Sequence, residues 1–401
     1  MTYDVQSPAV ARLFQYLPDW RSGFDVRRSF KTDITASRNN TEQRRAIRSA
    51  PRISVEYRTA LTDDDLRGAN HFLRAWQNKP AIVPDFARWA RTTALASSGA
   101  AAFTINPVPP WIAAGQNLVL CGGGVMERVL VDSVAGTTVN LEDALDNSWA
   151  SGSVVRPTFF GLMESKIGSS RRHYGAAELT VSLDCYPGGE PPRAIGTAWA
   201  TLSNREVFTQ VPDFAGPPSV SSIWPMDRVD FGQGRTAQFR PVAEAQRQVE
   251  ADFSGLDVAL AAEFEQFFDR MKGRCRAFYM PTWEKVFALN ATALAASSAF
   301  VATGSAWATD FGSTDFTAID VGVAVYLIDG TAIFRKITDI SASGGNSQIT
   351  VNAAWGVNLT VPTVARICLM PLWRFNTDEM VTSWRTPLKA DARLGFIQVR
   401  L

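Results

Sequence analysis

The chain has 401 residues, 46% of them hydrophobic and 20% charged, with 12 Trp and 24 Phe. That length exceeds one ordinary domain of roughly 100–200 residues, and the aromatic content excludes disorder as the general state. Forty Lys and Arg against 39 Asp and Glu argue against a surface built throughout to hold nucleic acid or anionic membrane.

The first feature along the chain is a basic run. Residues 21–52 hold nine Arg and Lys against the three acids Asp25, Asp33 and Glu42, while 100–160 hold two basic and five acidic residues. Opposed local charges suit a subunit that contacts copies of itself or layered partners, and a solvated basic face is the plainer alternative. Arg27, Arg28, Arg44, Arg45 and Arg48 are the candidate interface residues. Next, Arg52–Tyr57 alternates polar and apolar, the period of a half-buried strand with Ile53, Val55, Tyr57 and Thr59 inward. A helix follows, with Thr62 as the expected cap and Asp63, Asp64 and Asp65 in its first turn, where negative charge suits the helix dipole. Leu66, Ala69, Leu73 and Trp76 make its apolar face.

After Pro84-Asp85-Phe86 come short strand-like runs, including 117–120 and 128–134, broken by Gly, Asn and Asp, which suggest a small sandwich or barrel. Within them Cys121-Gly122-Gly123-Gly124 leads into strand-like Val125–Val131, so a hairpin turn is expected rather than a phosphate loop, which would open a helix. Phe159–Met163 and the alternating Ala177–Leu183 return to the first plan. A proline-rich connector is expected over 184–240, its aromatics Trp199, Phe208, Phe214, Trp224 and Phe231 packing on the chain's own cores.

The second half repeats the order. Gln248–Phe253 alternates, Ser254 is the expected helix cap, and Leu260, Phe264, Phe267, Phe268 and Met271 form an apolar face before Gly273. Pro281 stands where Pro84 does, Leu294-Ala295-Ala296-Ser297 echoes Leu95-Ala96-Ser97, and Ala392–Ile397 closes the half as another alternating strand. Two copies of one plan are predicted, mainly β with one helix each, as β-sandwich or barrel cores carrying inserted small β-modules. The boundaries are 1–92 with 159–183 for the first core and 93–158 for its insert. The connector is 184–240, the second core 241–288 with 369–401, and its insert 289–368.

No run of about 18 apolar residues predicts a membrane span, and the N-terminal stretch lacks the pattern of a secretory signal. Cys121, Cys185, Cys275 and Cys368 form no CxxC pair, so free thiols are expected rather than a zinc knuckle or disulfide framework. The two histidines, His71 and His173, lack any metal-site context, and a His-dependent nucleophile has little to work with. No cofactor or metal is expected, and no catalytic residues are assigned. Acid-only hydrolysis would need two carboxylates roughly 5–10 Å apart; no motif marks such a pair.

Thr41-Glu42-Gln43-Arg44-Arg45-Ala46-Ile47-Arg48-Ser49-Ala50-Pro51-Arg52, running into Ile53–Tyr57, resembles the opening strand motif of tailed-bacteriophage tail-tip proteins. Upstream Leu17-Pro18-Asp19-Trp20 and Phe30-Lys31-Thr32-Asp33, and the helix before Pro84-Asp85-Phe86, are similar too. The resemblance covers 15–90; the second half keeps the plan without the EQR-R core. It implies a non-enzymatic virion protein of a siphovirus-like tail tip, assembled in the host cytoplasm as a distal-tail or baseplate ring. Such a ring joins the tail tube to the central hub and channels DNA. Its implied partners are further copies (a hexameric ring, or a trimer with pseudo-six-fold symmetry), the tail tube protein, and the hub, baseplate and tape-measure proteins. Contact with passing DNA would be non-specific. Other readings are a carbohydrate- or receptor-binding adhesion protein acting through its inserts, and a tail-tip glycan hydrolase.

Overall fold

The computed structural model describes residues 11–37, 41–164, 166–192, 199–214, 216, 218–223, 227–230, 232, 234, 236–239, 245–312, 314 and 321–399. The fold is mainly β, with three helices among these residues. In the first half lie β1 (Phe24–Ser29), β2 (Thr32–Ala36), β3 (Glu42–Ala46), β4 (Arg52–Thr62), α1 (Asp63–Trp76), β5 (Pro80–Pro84), β6 (Val154–Met163), β7 (Gly168–His173) and β8 (Ala176–Cys185). In the second lie β9 (Ser219–Ile223), β10 (Asp227–Asp230), β11 (Thr236–Phe239), β12 (Gln246–Leu256), α2 (Val258–Met271), β13 (Phe278–Tyr279), β14 (Leu372–Phe375), β15 (Glu379–Thr386) and β16 (Lys389–Gln398).

Alternation builds the long strands. In β4, Ile53, Val55, Tyr57, Thr59 and Leu61 are buried and their neighbours are not, so one face meets the core and the other meets water or polar neighbours. Each helix lays an apolar face on its half. Leu66 and Ala69 are buried in α1, and Phe264, Phe267, Phe268 and Met271 in α2. The caps differ from expectation. Thr62 occupies the N-cap of α1 without a side-chain capping bond. In α2 the cap is Asp257, not Ser254, because β12 runs on to Leu256 and the Asp257 carboxylate accepts from the Leu260 N–H at 2.8 Å.

Eight strands form one antiparallel run in the order β7–β8–β4–β1–β15–β16–β12–β9. The first four belong to the first half and the last four to the second. β1 sits between β4 and β15, placing Val26 opposite both Val55 and Thr382. β6 and β5 continue the first half from β8, and β14 and β13 continue the second from β16.

That junction changes the expected core. The two halves bury one continuous apolar cluster rather than two, from Phe24, Val55 and Phe159 through to Phe253, Phe267 and Phe396. The reason is non-local: β1 bridges the halves, and Phe30 meets Phe268 with ring centroids 5.8 Å apart. Separate cores do exist in the inserts. One runs from Ala96 to Val155 with Phe103, Trp111 and Trp149 inside, the other from Phe287 to Ile367 around Phe300 and Trp355. In the first insert Gly123 and Gly124, at φ 57° and 81°, close a two-residue hairpin in which Gly122 pairs with Val125. Two consecutive positive φ values are what such a hairpin turn requires.

The span 184–240 is not only a connector. It supplies β9 and the β10–β11 hairpin, and it buries Phe208 among Phe253, Phe264, Phe267, Phe278 and Phe396. Trp199 stacks on Phe267 at 4.5 Å. Phe214 instead remains exposed, and Trp224 and Phe231 lie outside the described residues.

Candidate interface

Part of the basic run, Arg27, Arg28 and Arg44, folds onto the seam between the halves. Alternation in β1 turns Phe24, Val26 and Arg28 inward and leaves Arg27 outward. Arg28 is therefore buried, 2% exposed, and a buried guanidinium needs its donors filled. Its Nε donates to Asp269 Oδ1 at 3.0 Å, its Nη2 to Asp269 Oδ2, and its Nη1 to Glu190 Oε2 at 2.8 Å. Burial pushes the guanidinium pKa down, but the charges of Asp269, Glu190 and Glu265 outweigh it and hold it above its ordinary value. Arg28 thus fastens β1 to α2 of the other half.

The β2–β3 hairpin crosses the same seam. Glu42 accepts from Arg374 Nε and Nη2, each at 2.8 Å, with both side chains 7% exposed. This is the bidentate geometry a planar guanidinium favours. Burial raises the Glu42 pKa, yet the hydrogen bonds and charge of Arg374, with Arg44 and Arg274 nearby, keep it below its ordinary value. At the other end of the hairpin, Asp378 accepts from the Thr32 N–H and Oγ1, both at 2.7 Å, and from the Arg274 N–H at 2.9 Å. Burial again acts upward, and these bonds with the Arg274 charge bring the Asp378 pKa below its ordinary value.

Of the predicted interface residues, Arg28 and Arg44 serve inside the chain. Arg44 Nε lies 3.7 Å from Glu42, its Nη1 is buried with no hydrogen-bond partner among the described residues, and burial lowers its pKa. Arg48 reaches the Ser29 backbone at 3.4 Å, and Arg27 makes a half-exposed pair with Glu379 at 2.8 Å. Arg45 is exposed on β3. Their partners Asp269, Glu190, Arg374 and Asp378 carry no local signal, since sequence separations of 162 to 346 residues divide them from Arg28, Glu42 and Thr32.

The run has two open ends. Among the described residues, β7 pairs only with β8 and β9 only with β12. Every residue of β9 is exposed, including Val220 at 52% and Ile223 at 44%. Beside it opens an apolar cavity of about 240 Å³, lined by Phe214, Pro218, Val220, Val249, Trp283 and Trp373 among others. Both histidines are exposed, His71 on α1 and His173 on β7. Among the described residues, no group of three or more His, Cys, Asp or Glu is placed to hold a metal, and no helix is long and apolar enough to cross a membrane. No family model matches the chain, and no curated protein matches it.

Proposed function

We propose that the chain is a structural subunit of a bacteriophage tail tip. In this reading it is a distal-tail or baseplate ring component that joins the tail tube to the central hub, leaves a channel for DNA and performs no catalysis. The tail assignment rests on the resemblance over 15–90. Its EQR-R motif forms β3 and the entry to β4, and its Glu42 joins the two halves. The assembly role rests on one observation: an eight-stranded run made of two four-strand sets, whose end strands each have one open edge among the described residues. Open edges of this kind are normally blunted or covered in monomers. In this reading sister chains cover them, in a ring that closes when the rotation per chain allows.

Six chains in a ring is the favoured count, with tail tube above and hub below. A trimer with pseudo-six-fold symmetry is the second reading, supported by the like order of strands in the two halves. Imaging of the purified chain with light scattering tests both. The expected result is a ring with a central channel; a stable monomer at tens of micromolar, on the order of a transient interface's affinity, refutes the proposal.

A further inference from the structure

The two halves of the chain agree in more than order. In β7–β8 the register shifts between Arg171 and His173, and in β15–β16 it shifts between Trp384 and Thr386, 213 positions later in both cases. The same offset relates the partners of β4 and β12, since Val55 faces Leu183 and Val249 faces Phe396. Val26 stands opposite Val55 on one side, and Val220 opposite Val249 on the other. β1 therefore corresponds to β9, and β7 to β15. The correspondence extends to the hairpins, because β2–β3 follows β1 as β10–β11 follows β9.

Within the chain, β1 and β15 pair antiparallel, Val26 opposite Thr382 and Phe24 opposite Trp384. The counterpart of that junction would unite β9 with β7. Among the described residues these two strands have open edges at opposite ends of the run, so one chain cannot join them without closing on itself. Each strand lacks the partner type that the other supplies. β9 is a poor edge to leave bare, for it carries neither charge nor proline and exposes Val220 and Ile223.

We infer that β9 of one chain pairs antiparallel with β7 of a second copy, repeating between chains the β1–β15 junction made within each. This deepens the assembly reading above and rests on it. Transferring the in-chain register places Val220 opposite Ser169 of the neighbour and Ser222 opposite its Ile167. The contact is head-to-tail, so it closes a ring when the rotation per chain allows. The apolar cavity sits at this seam. In the first half the position of Pro218 is taken by Phe24, which packs on Tyr57 and Phe86 at 5.6 and 5.7 Å; in the second half that space is open. The β10–β11 hairpin would reach across the new seam as β2–β3 reaches across the internal one.

The test uses the full chain carrying both Val220→Cys and Ser169→Cys, oxidised mildly and run without reductant. Cross-links form between chains, and the ladder of products ends at the ring's copy number. The pair Val220→Cys with Arg171→Cys lies one diagonal step away, about 7–8 Å in a paired sheet, beyond disulfide geometry. It should link on the order of tenfold more slowly. Wild-type chain and single-cysteine chains serve as blanks for the four native thiols. In a separate arm, Val220→Lys places a charge on the edge and yields monomers with unchanged circular dichroism. Rings that form without the 220–169 link, or that link the off-register pair equally well, overturn this pairing while the assembly reading stands. Monomeric wild-type chain overturns both.

Discussion

Replacing Glu42 by Gln tests the internal seam most directly. The substitution preserves shape and removes the only carboxylate within 4 Å of the buried Arg374 and Arg44 guanidiniums among the described residues. Breaking one side of a buried pair costs about 3–5 kcal/mol, because the remaining charge is left uncompensated. At about 1.4 kcal/mol per tenfold, the opening equilibrium of the β2–β3 hairpin should rise by two orders of magnitude or more. Amide hydrogen exchange over residues 32–46 reads this without assuming two-state unfolding of a 401-residue chain. Arg374→Met should cost less, about 1.5–3 kcal/mol for charge-assisted bonds lost, since Arg44 stays 3.7 Å from Glu42 to balance it. Unchanged protection in the E42Q hairpin, or a larger effect from R374M, would show that Glu42 does not hold the two guanidiniums in place.

Acid should open the same seam. Glu42 and Asp378 are held below their ordinary values of 4.5 and 3.8, so their contribution is complete above those values and is lost as pH falls through the folded pKa. Hairpin exchange, corrected for intrinsic rates, should therefore accelerate on acidification, and E42Q should show a shallower dependence. Phe208→Ala removes a fully buried ring from contact with Phe253, Phe264, Phe267, Phe278 and Phe396 and should cost about 3–5 kcal/mol; a denaturant midpoint like the parent's counts against the central packing. Glu127→Ala unmakes four bonds, from the Asp146 and Asn147 N–H groups, Asn147 Nδ2 and Trp149 Nε1. Its loss of protection should be confined to the first insert, whose apolar cluster is its own; matching losses in α2 would show that the insert does not open independently.

Periodicity alone determined the mainly β character, the faces of β4, β8, β12 and β16, and both long helices, because each depends on residues within a few positions of one another. The glycine hairpin at 123–124 was legible for the same reason. The placement of β1, by contrast, comes from long-range packing. Its six residues have an inward face that carries an arginine, and nothing local says that Asp269 and Glu190 will meet it. Once β1 lies between β4 and β15, Arg28 and Arg44 of the basic run join the internal seam, two expected cores become one, and β7 and β9 are left, among the described residues, as the ends of the eight-strand run. Strand neighbours some 350 residues apart are selected by the packing of the whole sheet, and local alternation carries no record of that choice.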